Sequence, residues 1–189
     1  MSYIILGILI VGGLVYYLTT RNNKGDNQQS KVDPKNNPYN DLRNMALGAT
    51  AEQLQLKLSD DKTEIYGVVM DWDVGEGTAT LVSFTTGDAS LYLSSGGGFI
   101  GGGGHDNVLN AINCFINKSG SYLDRASKIE TTILPDKNGL TFYFLTNKGK
   151  FKATEQMQNI ESGKSQWLDL FEEANKLITE IRIVSEKQD

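Results

Sequence analysis

The fold expected from this chain is α+β: a central, mainly antiparallel sheet of about five or six strands covered by helices, preceded by one N-terminal transmembrane helix. Three observations lead there. Short segments rich in β-branched and aromatic residues follow one another from Glu64 to Ser94, separated by turns that carry Gly and Asp, which is the pattern of a meander. The C-terminal segment repeats apolar residues at helical spacing. The chain opens with an uncharged apolar run from Tyr3 to Leu18.

Taken first, that run supplies with its neighbours the roughly 20 residues a helix needs to cross a hydrocarbon core about 30 Å thick, so residues 1–20 are expected to be a transmembrane anchor. Tyr3 at one end and Tyr16 and Tyr17 at the other fit interfacial aromatic belts. No basic n-region precedes the run and no Ala-x-Ala site follows it, against a cleaved signal. Residues 21–38 are polar and carry two of the three prolines, a composition expected to form a flexible linker. Its Arg21, Lys24, Lys31 and Lys35 outnumber Asp26 and Asp33. By the positive-inside bias the expected placement is single-pass in the inner or plasma membrane, N-terminus outside and residues 39–189 forming one cytoplasmic α+β domain. The lone Cys114 fits a reducing compartment, and its helical context reads as packing.

Within that domain, Asp41 to Leu58 reads as helix broken near Gly48, with Thr50 and Gln53 spaced as a capping box. Strands are expected at Glu64–Val74, built on Val68, Val69 and Met70, then at Thr78–Phe84 and Ala89–Ser94. Val108, Ala111, Ile112, Phe115 and Ile116 predict a helix with Asp106 as N-cap. Ile129–Leu134 and Leu140–Thr146 flank the turn Pro135-Asp136-Lys137-Asn138-Gly139, and a short strand follows around Phe151. Trp167, Leu170, Phe171, Ala174, Leu177, Ile178 and Ile181 form one stripe of a last helix that closes over the sheet.

In element order the domain resembles the profilin-like group of folds, roadblock and longin domains among them. The resemblance implies a binding platform or small-GTPase regulator, often dimeric or at a membrane. It carries over no functional residue.

The most unusual local feature is the loop Gly96, Gly97, Gly98, Phe99, Ile100, Gly101, Gly102, Gly103, Gly104, His105, which is the candidate ligand- or partner-binding site. Gly96, Gly98 and Gly101 satisfy G-x-G-x-x-G, and a glycine loop before a helix can present N–H groups to an anion. An apparently antiparallel setting and a late helix start argue for the other readings, a structural loop or a protein-contact loop. Phe99 and Ile100 favour contact, since apolar residues in an open loop need a surface to meet. His105 is the single histidine, so no His-based metal cluster can be assembled.

Two further motifs bear on chemistry. Asp71-Trp72-Asp73 after an apolar strand resembles the first motif of haloacid-dehalogenase phosphatases, but the continuation Val74-Gly75-Glu76-Gly77-Thr78 departs from Asp-Gly-Thr, and both acids read as solvated residues of a turn. Gly163-Lys164-Ser165 lacks the first glycine of a phosphate loop, and Ser162 or Ser165 as a helix cap explains it better.

With 18 Lys+Arg against 23 Asp+Glu and a net charge of −5, the chain is not suited to nucleic acid. The function expected is a membrane-anchored cytoplasmic interaction, scaffold or regulatory domain without catalysis of its own. It would have protein partners, with a homodimer among the options, and no cofactor. The alternative is a sensor binding a small anion or nucleotide at Gly96–Gly104, and the third is a Mg-dependent phosphatase using Asp71 and Asp73.

Overall fold

In a computed structural model, residues 37–100 and 104–187 are described. Strands β1 (Ile65–Asp73), β2 (Thr78–Phe84), β3 (Ala89–Leu93) and β4 (Gly98–Ile100) form a meander, and β5 (Ser127–Ile129), β6 (Gly139–Thr146) and β7 (Gly149–Gln156) complete one seven-stranded sheet. All pairings are antiparallel and the order across the sheet is β4-β3-β2-β1-β6-β7-β5. The two most apolar strands, β1 and β6, therefore lie side by side at its centre. Turn chemistry explains the hairpins: the Gly75 N–H donates to Asp73 Oδ1 at 2.7 Å, and Gly75, Gly87 and Gly149 take φ values of +90°, +93° and +109°, which side chains rarely adopt.

Alternation along each strand sorts the side chains onto two faces. Val68, Met70 and Trp72 of β1 face a core closed by helices α2 (Asp106–Gly120) and α4 (Leu168–Lys187). The expected stripe from Trp167 to Ile181 is wholly buried there. Val69 faces the other way, into a second core with Tyr66, Val82, Tyr143 and Leu145. Helix α1 (Tyr39–Gly48) covers that core with Tyr39, Ala46 and Leu47. A short helix α3 (Met157–Glu161) links β7 to the segment before α4. Ser165 caps that segment by accepting the Trp167 N–H at 3.0 Å.

Several expectations are corrected. The sheet has seven strands, not five or six. Among the described residues no helix is long and apolar enough to cross a membrane; α4 shows why, since Glu172, Glu173, Lys176 and Glu180 lie off its apolar stripe. The described residues thus form an α+β sheet whose covering helices include none that could cross a membrane. The span expected at residues 1–20, and all of the 21–38 linker before Asn37, lie outside the described residues.

Residues 51–55 form turns and 56–58 are irregular, in place of a second helix, because Gln55 takes φ +57° and breaks the helical path. The capping-box bonds still form: Thr50 N–H to Gln53 Oε1 at 3.0 Å and Gln53 N–H to Thr50 Oγ1 at 3.3 Å. Beyond Ile129 the expected strand does not continue. Instead Glu130–Pro135 crosses as a strap, tied down where the Tyr143 hydroxyl donates to the Ile133 carbonyl. At the start of α2 the cap position falls to His105, extended at φ −126°, ψ 122°, and Asp106 becomes the first helical residue. Cys114 is exposed on α2 instead of packed.

Candidate functional site

The glycine loop is divided by the fold. Gly96 and Gly97 turn the chain at φ +102° and +84°. The Gly96 N–H donates to the Leu93 carbonyl at 2.9 Å, and the Leu93 N–H donates to the Gly97 carbonyl at 3.1 Å. Gly98 then enters β4 at φ +156°, where a Cβ would meet the Leu91 carbonyl oxygen at 2.3 Å. These glycines are required by a tight β3–β4 hairpin. Phe99, opposite Leu91, is buried in the core beneath α2, while Ile100, opposite Ser90, stands on the α1 face with 65% of its surface exposed. Gly101, Gly102 and Gly103 lie outside the described residues, and Gly104 and His105 lead into α2.

This geometry offers little to an anion. The Gly96 N–H is used inside the hairpin, and Asp106 already places a carboxylate in the first turn of α2, where the helix dipole would otherwise attract a ligand's charge. Among the described residues no cluster of His, Cys, Asp and Glu is placed to hold a metal ion.

What the hairpin does build is an edge. β4 ends the sheet, and among the described residues nothing pairs with its outer side. From Ala89 to Gly104 the chain has no charged side chain. The opposite edge, β5, carries an exposed Lys128 in the middle of its three residues, the usual guard against strand addition. Beside β4 lies a cavity of about 170 Å³ lined by Pro38, Leu42, Tyr92, Gly98 and Ile100, among others. Its far wall is held in place by Asn37, whose Nδ2 donates to the Ser94 carbonyl at 2.7 Å and whose Oδ1 accepts the Tyr39 N–H at 3.0 Å. Met45, 71% exposed, lies three residues beyond Leu42 on α1, so both sit on one stripe of the helix.

A second constellation lies under α1. Asp71 is fully buried at mid-sheet, and Arg43 reaches it from α1 with Nε at 2.8 Å and Nη2 at 2.6 Å from Oδ2. Thr80, its neighbour on β2, donates to Oδ1 at 2.6 Å, so the Tyr39 hydroxyl, 2.8 Å from Thr80 Oγ1, is the donor in that contact. The Arg43 guanidinium lies 5.8 Å from the centre of the Tyr143 ring. Burial pushes the Asp71 carboxyl up, and the Arg43 and Thr80 bonds pull it back. The pair fastens α1 to the sheet. It also removes Asp71 as a nucleophile, because both carboxylate oxygens are engaged and neither meets solvent. Asp73 is likewise occupied, accepting the Gly75 N–H at 2.7 Å and the Asn138 N–H at 3.2 Å. Asp71 is therefore no solvated turn acid. The signal for this was present, since an acid flanked by Met70 and Trp72 within a buried strand needs a cation.

Tyr143 reports on the same layer. Burial, with the Asp71 charge adding to it, raises its hydroxyl to about 12, and burial shifts Tyr39 in the same direction. A tyrosine that ionises later folded than unfolded supports the fold fully below its unfolded value of about 10. That support is lost as pH rises from there towards 12. The folded chain should accordingly lose stability in this window, with Tyr143→Phe holding its melting temperature to higher pH; an alkaline melting series in which the two chains fall together would refute this assignment.

Compared with known proteins, the chain matches no protein-family model, no curated protein and no solved structure.

Proposed function

We propose that this chain is a protein-interaction domain without catalysis of its own, and that it meets its partner along β4 and the adjoining groove. The observation that carries this reading is the contrast between the two sheet edges. β5 is guarded by Lys128, whereas β4 is uncharged and displays Ile100 beside an apolar cavity. An open edge offers backbone hydrogen bonds, and a neighbouring pocket supplies side-chain selection; together these make strand addition a recurrent mode of recognition. The resemblance to roadblock and longin domains read from the sequence would imply a binding platform as well.

The test places a photo-crosslinking amino acid at position 100 of the full chain, with position 161, an exposed site beyond the far half of the sheet, as the control. Irradiation in the cells that make the protein should give a discrete adduct from position 100 and none from 161. Equal labelling at both positions, or none at 100, would count against the β4 edge as the contact surface.

A further inference from the structure

We infer that the strand added at β4 is that of a second copy of this chain, paired edge to edge and antiparallel about a two-fold axis through Phe99. The inference rests on the reading of β4 as a contact edge and goes on to name the partner.

Hydrogen-bond phase supports it first. The bond from the Leu93 N–H to the Gly97 carbonyl marks Leu93 and Gly97 as a hydrogen-bonded pair. By alternation Leu91 and Phe99 are the next such pair. The N–H and C=O groups of Phe99 are thus directed to β3, and those of Gly98 and Ile100 are turned outward. In a two-fold antiparallel pairing centred on Phe99, Gly98 of one copy stands opposite Ile100 of the other. The outward groups of each then meet outward groups of its mate, which is the self-complementarity an isologous contact requires.

Side chains agree with this register. Gly98 and Ile100 lie on the same face of β4, the one towards α1. Ile100 of the second copy would stand over Gly98, which has no side chain to block it, at the mouth of the cavity beside Tyr92 and Leu42. At about 170 Å³ that cavity is of the size that holds a small aromatic ring, so a branched aliphatic side chain can enter. Each copy offers one apolar knob and one hole.

Charge agrees as well. Two copies each at −5 repel, and they can approach closely only through a surface without like charges. The β4 edge, Gly98–Ile100, carries no charged side chain and is such a surface. Lys128 at β5 would instead set two cations side by side.

The experiment uses two full-length versions carrying different affinity tags, co-expressed and purified through one tag at about 100 µM, where a contact this small is populated. The second tag should co-purify with the wild type, fall at least tenfold with Ile100→Asp in both copies, and fall less with Ile100→Ser. Unchanged melting temperatures confirm that the exposed substitutions leave the fold intact. Co-purification that ignores both substitutions, or its absence in the wild type, overturns self-pairing. The adduct from the crosslinker at position 100 separates the two claims. Twice the chain mass supports both. An adduct with a different protein leaves β4 as a contact edge and refutes the second copy, and no adduct refutes both.

Discussion

Replacing Asp71 by alanine lowers the stability of the folded chain by about 3–5 kcal/mol, the usual consequence of leaving one member of a buried ion pair without its mate. Arg43 is 5% exposed and its Nε and Nη2 both serve Asp71 Oδ2, so in the variant a guanidinium stays in a low-dielectric layer beside the Tyr143 ring without its carboxylate. Thr80 loses its acceptor at the same time. Urea unfolding followed by circular dichroism measures the loss, and amide exchange should show α1 opening first, since Arg43 is its polar tether. Replacing both members together, Arg43→Met with Asp71→Leu, should recover most of the stability, because an apolar pair of similar volume is often no worse than a buried salt bridge. A cost below about 1 kcal/mol for Asp71→Ala would mean that α1 is held by its apolar face alone.

Trp167→Ala should cost a similar amount, about 3–5 kcal/mol, for a different reason: a large cavity opens beneath the last helix. Trp167 is 4% exposed, and its ring centre lies 5.5 Å from Tyr122, 6.2 Å from Phe142 and 6.5 Å from Phe144. It joins the end of α2, the central strand β6 and the start of α4 at one point. The other tryptophan, Trp72, packs edge-on against Phe171 at 5.3 Å and remains in the variant as an intrinsic probe. Fluorescence-detected unfolding at Trp72 reads the loss directly. A cost under about 1.5 kcal/mol would show that the site collapses around the deletion and that α4 is held elsewhere.

Much of the fold could be read from residue pattern because the burial is periodic. The stripe from Trp167 to Ile181 and the alternation of Ala89, Leu91 and Leu93 each reflect one element packing on one face, and those elements stand where expected. The pattern failed where a residue's state depends on a distant partner. β4 has three residues, the first of them glycine, and no period can be seen in so short a strand; its pairing is decided by the Gly96–Gly97 turn. Thr50 and Gln53 make the bonds of a helix start, yet Gln55 turns the chain aside. Asp71 looked like half of a solvated pair because Arg43, 28 residues earlier, sits in a helix whose docking no local rule specifies. Of the candidate site, Phe99 and Ile100 were legible as apolar residues in need of a surface. That Phe99 would turn inward and Ile100 outward follows only from the register against Ser90 and Leu91.

The guarded edge has a consequence for how far association can go. A sheet with two open edges can add molecules at either end without limit, as fibres do. Among the described residues this one has a single open side, because Lys128 guards the other. Its valence is one: once a second copy occupies β4, what faces solvent at both ends of the enlarged sheet is a lysine-bearing β5 edge, and growth stops at the first partner.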